Sequence, residues 1–72
     1  MASVRAGHRV LARTASGGVL QRWAVSGPVM GMDFMVVWVC REEEWIAANR
    51  EGRKPEAIPW PADAVEPLAE LA

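Results

Sequence analysis

The sequence predicts an α+β domain: a small antiparallel sheet or barrel of three to four strands, one short helix after the third strand, and an extended Pro/Trp C-terminal tail. Three observations predict it. Residues 8–14, 19–26 and 34–40 have the alternation or β-branched content of strands and are separated by turn residues. Residues 42–51 carry acids at the start and bases near the end, as a helix prefers. Pro55, Pro59 and Pro61 surround Trp60 and hold the chain extended, because the residue before each proline is pushed out of the helical region.

In the first strand, residues 8–14, Val10 and Ala12 share one face, and Arg9, Leu11 and Arg13 share the other. Ser16-Gly17-Gly18 makes the turn. In the second strand, Val19, Gln21, Trp23 and Val25 point one way and Leu20, Arg22, Ala24 and Ser26 the other. Gly27-Pro28 breaks it, and Gly31 and Asp33 bracket the next turn. The third strand, Phe34-Met35-Val36-Val37-Trp38-Val39-Cys40, is apolar on both faces and must be covered on both. One cover is the rest of the sheet; the other is the helix, the tail or a second protomer.

The helix opens with Glu42, Glu43 and Glu44 and presents Trp45, Ile46 and Ala48 or Asn49 as its apolar stripe. Gly52 is its expected C′ residue, and Pro55 prevents continuation. Beyond the prolines, Asp63 with Glu66 suits a capped turn, or Glu66-Pro67 opens a terminal helix with Val65, Leu68 and Leu71 on one side. The expected organisation is one domain over 1–72. Residues 1–7 form an arm whose conformation the sequence leaves open, 8–41 the sheet, 42–52 the helix and 53–72 the tail with its short terminal helix.

At 72 residues the chain allows one domain. A core of this size supplies about 3–5 kcal/mol unless something staples it. One cysteine cannot form an internal disulfide, and one cysteine with one histidine cannot make a four-ligand zinc site. Dense packing around four tryptophans, or self-association, remains. Charge is segregated along the chain: residues 1–32 hold Arg5, Arg9, Arg13 and Arg22 and no acid, whereas residues 42–72 hold eight acids and three bases. No apolar run reaches the ~18–20 residues of a membrane span, and no secretory signal pattern opens the chain, so the cytoplasm is the expected location. Seven Arg against one Lys, with abundant Ala and Val, suits a high-GC genome.

The segment Ala6-Gly7-His8-Arg9-Val10-Leu11, then Gly18-Val19-Leu20 and Val36-Val37-Trp38-Val39, resembles SH3-like small barrels over about residues 6–41. That resemblance implies a barrel fold and no particular activity. The stretch from Phe34 through Trp45 to Pro59-Trp60-Pro61 is similar to short uncharacterised proteins of actinobacteria and their phages, and no function follows from it.

No constellation points to catalysis, and no cofactor, metal or small-molecule substrate is expected. Cys40 with His8 is the one conceivable nucleophile–base pair, but Cys40 shares its strand face with Phe34, Val36 and Trp38, which suits a buried, inert thiol. Glu42, Glu43 and Glu44 are explained by the helix N-terminus. Ser16-Gly17-Gly18 is too short for a phosphate loop and lacks the following Gly-Lys-Ser/Thr.

Two binding classes stay open. The first is a non-enzymatic protein-interaction module, self-associating as a homodimer or binding another protein, through Met30, Met32, Phe34, Met35 and Trp60. For the methionine cluster the competing role is core filling at a barrel end. For Trp60 it is a clamp that closes the tail over the sheet, which a small core favours. The second class is a nucleic-acid-binding or regulatory accessory protein that uses an N-terminal face of Arg5, Arg9, Arg13 and Arg22, which could contact phosphates. Against it stand the slightly negative net charge and the lack of an aromatic residue within the Arg cluster in sequence.

Overall fold

Alternating side chains place Val10 and Ala12 on the inner face of the first strand, β1 (Arg9–Arg13), and both are fully buried. β1 pairs antiparallel with β2 (Val19–Ala24) through a turn held by Thr14, whose Oγ1 accepts from Gly18 N at 3.0 Å. β2 bends at Ser26-Gly27-Pro28 into β3 (Val29–Met30). The Ser26 hydroxyl accepts from Trp38 N at 3.3 Å across this bend, in place of a ladder carbonyl. β4 (Met35–Cys40) pairs with both: Met35 and Val36 with β3, Val39 and Cys40 with β2.

The helix α1 (Glu42–Glu51) follows β4. Gly52 ends it in the left-handed conformation at φ 69°, where Ala would be strained, and Arg53 N reaches back to Ala48 O at 3.0 Å. β5 (Ile58–Pro61) returns along the second edge of β4, and a three-residue 3₁₀ turn, Ala62–Ala64, leads into β6 (Val65–Pro67), which pairs with the far edge of β1. β4 and β1 are not neighbours in the sheet, yet three 3₁₀ residues, about 6 Å of rise, carry the chain from one outer edge to the other. The sheet is therefore strongly curled, as a half-barrel of five to six strands. The computed structural model describes residues 4–68.

The expected antiparallel sheet with one helix is present, with two differences. Among the described residues there are six strands rather than three to four, and the helix follows the fourth rather than the third. The bend at Gly27-Pro28 leaves β3 as a short strand of its own, and the tail contributes β5 and β6. The terminal helix is also corrected over 65–67, which is strand. Glu66 precedes a proline and favours extended backbone, and β1 offers an unpaired edge that Glu66 and its neighbours fill, continued by Leu68 N on Arg9 O at 3.1 Å. Leu71, the last residue of the expected helical stripe, lies outside the described residues, as do residues 1–3 of the N-terminal arm. From Val4 onward the arm is packed: Val4 is buried in the core, and Gly7 N donates to Ala24 O at 2.8 Å.

The core lies on the concave face and is built of Val4, Val10, Ala24, Val37, Val39 and Val65, with Trp60 and Ala62 packed against it. Its largest fully buried side chains are valines. The bulkier apolar residues sit at the margins or outside.

Candidate functional site: an apolar hairpin face

β3 and β4 form a hairpin whose tip is Met32-Asp33, closed by Gly31 N donating to Phe34 O at 2.8 Å. Glycine is required at 31 for space. A Cβ there would sit 2.8 Å from Phe34 O and 3.0 Å from Val36 Cγ1. The hairpin displays Met32 at 100% exposure, Met30 at 72%, Phe34 at 55% and Met35 at 42%. Four of the five residues expected to meet a protein partner are thus brought together at one end of the sheet.

Trp60 does not join them. It opposes Val37 on the inner face, packs against the core, and its Nε1 donates to Arg13 O at 2.9 Å. The indole thereby ties β5 to β1 across the open side of the half-barrel.

Two residues absent from the sequence-based set extend the face. Trp38, 38% exposed, and its register partner Pro59 lie beside the hairpin. With Met30, Met32, Phe34 and Val36 they frame an apolar hollow of about 540 Å³ at the tip. The signal for Trp38 was present: a strand apolar on both faces, one of which the helix does not cover. α1 instead packs at the other end, where Trp45 stacks on Trp23 with ring centroids 5.2 Å apart and planes 5° from parallel.

The arginines do not form one open basic face. Arg9 lies over the Trp23 ring, 5.4 Å from its centroid, and pairs with Glu42 at 3.7 Å. Arg13 donates to Glu66 at 3.2 Å and to Asp63 O at 2.7 Å. Arg22 opposes Val10, so it leaves the strand on the other face from Arg9 and Arg13, and it donates to Gln21 O at 2.9 Å. Arg5 is exposed. Arg9, Arg22 and Arg41 do meet at a polar groove by the start of α1, but Glu42 and Glu43 line the same groove. The acidic second half of the chain thus folds back onto the basic first half. The structure also corrects one expectation: an aromatic does stand among these arginines, because strand register sets Trp23 opposite Arg9.

Cys40 is buried, and desolvation followed by the nearby charge of Glu44 pushes its thiol pKa up, away from the thiolate a nucleophile needs. β2 stands between β4, which carries Cys40, and the β1 side of the sheet where His8 lies. The Glu44 carboxyl is held below the usual range first by its hydrogen bond from Arg53 and then by the Glu56 N–H at 2.9 Å. Arg53, which also bonds Glu51 at 2.8 Å, is held firmly protonated in return. These contacts fasten the segment after α1 to the helix.

Among the described residues, no group of three or more His, Cys, Asp or Glu could hold a metal ion, and no helix is long and apolar enough to cross a membrane. Set against known proteins, the chain matches no family, no curated protein and no solved structure.

Proposed function

We propose that this protein is a non-enzymatic protein-interaction module whose working surface is the β3–β4 hairpin face. The observation that carries this reading is the exposure of Met30, Met32, Phe34 and Trp38 around one apolar hollow at the end of the sheet. Isolated exposed apolar residues are ordinary, but exposed apolar residues clustered around a hollow mark an interaction surface. Methionine suits this role because its flexible, polarisable chain adapts to a partner. The barrel is proposed to be of the SH3-like class; the support is the curled antiparallel sheet with a 3₁₀ step between its last two strands. A buried free Cys40 suits a reducing compartment such as the cytoplasm.

A photo-crosslinking residue placed at position 32 tests the surface directly. It should give covalent protein adducts in cells, whereas the same residue at position 51, on the exposed end of the helix, should not. No adduct from position 32 overturns the reading.

The second reading, contact with nucleic acid, has as its support a cation and an aromatic ring side by side in Arg9 and Trp23, although Trp45 already stacks on that ring. It ranks second because Arg9 and Arg13 are already engaged by Glu42 and Glu66. Salt-sensitive binding of labelled single-stranded or duplex nucleic acid would promote it.

A further inference from the structure

We infer that the concave end of the sheet beside α1 is a binding site for a small organic carboxylate, an acid group carried on an apolar body. The inference goes beyond the hairpin reading, and the two hollows share no lining residue.

The site begins where the valine core stops. Register sets Ala24 of β2 opposite Val39 of β4, and Val39 opposite Ile58 of β5, so the three form one row on the inner face. Ala24 and Val39 are fully buried, but Ile58 in the same row is 56% exposed. Two residues back along β2, alternation turns Arg22 to that same inner face. On the helix side the wall is Ala47, whose methyl group leaves the gap unfilled. The result is a hollow of about 660 Å³ walled by Val39, Ala47, Ile58 and Trp60. Small-molecule sites span roughly 300–1,000 Å³ and are mainly apolar, with a few placed polar groups.

Charge selects the ligand. Arg22, Arg41, Glu43, Glu44 and Glu56 line the hollow. Arg41, Glu43 and Glu56 are exposed, so water solvates them, whereas Arg22 and Glu44 are half-buried. Glu44 is answered within the fold: it pairs with Arg53 and accepts from Glu56 N at 2.9 Å. Arg22 is not. Among the described residues its side chain donates to Gln21 O at 2.9 Å and forms no ion pair. A partly desolvated charge is stabilised by a countercharge, so the hollow lacks an anion and not a cation. The planar guanidinium fork matches a carboxylate with two parallel hydrogen bonds.

Two neighbours fit the same ligand. Arg41 lies one step past the Trp23–Cys40 pair in extended conformation and brings a second positive charge to the rim. Trp60 has its Nε1–H committed to Arg13 O, so it offers the hollow its ring and no donor. With Ile58 and Val39 it would hold the apolar body while Arg22 holds the acid group.

The chain has two isoleucines, Ile58 in the hollow and Ile46 exposed on the helix, and their methyl NMR signals test the inference. Titration with naphthoate should shift the Ile58 signal to saturation and leave Ile46, Met30 and Met32 fixed. Naphthylmethanol, of similar shape but uncharged, should bind about tenfold to a hundredfold more weakly, the loss expected for a charge-assisted hydrogen bond. Naphthoate should lose affinity for Arg22→Gln by a similar factor. Ala47→Leu keeps every charge but fills the hollow, and should abolish the shift. The comparison of acid with alcohol uses the wild-type chain, so it decides the charge requirement even if a variant fails to fold. An Ile58 signal that naphthoate does not move overturns the inference. So does naphthylmethanol binding as tightly as naphthoate, or a folded Arg22→Gln that keeps full affinity. Shifts confined to Met30 and Met32 would place the probe in the hairpin hollow and overturn it as well, while leaving the interaction surface standing.

Discussion

Trp60 is the side chain whose removal separates a clamp from a docking residue. Its indole packs half-buried against Val37 and the rest of the valine core, and its Nε1–H is bonded to Arg13 O at 2.9 Å. A fully buried tryptophan costs about 3–5 kcal/mol on truncation to alanine. Half-burial reduces the apolar part to about 2 kcal/mol, and the lost hydrogen bond adds about 1 kcal/mol. Trp60→Ala should therefore lower stability by about 2–3 kcal/mol, and Trp60→Phe, which keeps most of the ring but no donor, by about 1 kcal/mol. For a domain of this size these correspond to Tm shifts of about 8–24 °C and 4–8 °C. Thermal and urea unfolding followed by circular dichroism at one fixed protein concentration measures both, since any self-association makes Tm depend on concentration. A loss under about 0.5 kcal/mol for Trp60→Ala, the size of a surface substitution, would refute the packing argument and return Trp60 to the interaction surface.

Three further outcomes follow from the geometry. Gly31→Ala should destabilise the hairpin by about 1–3 kcal/mol, because its Cβ would overlap Phe34 O and crowd Val36; urea unfolding reads it, and an unchanged midpoint would show that the hairpin relaxes freely. Glu44 has a folded-state pKa below its unfolded value, so its contribution is present at neutral pH and is lost as pH falls through the folded pKa. The stability gap between wild type and Glu44→Gln should accordingly be widest near neutrality and close in acid below the ordinary carboxylate range; a gap that widens in acid would contradict the Arg53 pairing. Cys40, buried with a raised pKa, should react with a thiol reagent at pH 8 much more slowly in the native protein than in urea; equal rates would place the thiol at the surface.

Much of this fold was legible in the sequence because the signals were local. The acids opening α1, Gly52 and Pro55 bound the helix, and alternation over residues 8–14 and 19–26 marks β1 and β2. What was missed depends on distant partners. β6 reads as helix from the spacing of Val65, Leu68 and Leu71, and becomes strand because the edge of β1 is free to pair with it. β3 and β5 are too short and too rich in turn residues and proline to announce themselves alone; both form on β4, which pairs along both edges.

The site follows the same division. Met30, Met32, Phe34 and Met35 are close in sequence and fall together in space, so composition found them. Pro59 reaches the patch only through its register with Trp38, and Trp60, one residue on, faces the opposite side for the same reason. The arginines mislead because their sequence cluster ignores the acids that return in the fold: Glu42 meets Arg9, and Glu66 meets Arg13.

Methyl NMR of protein labelled at methionine and isoleucine, first across a dilution series and then with added cell extract, tests the central claim most directly, since Met30 and Met32 line the hairpin hollow. If that hollow is a protein-interaction surface, these two methionine signals shift or broaden with rising concentration or with extract, while the methyl groups of Ile46, exposed on the helix, stay fixed. Methionine signals that keep one position under both conditions would contradict it.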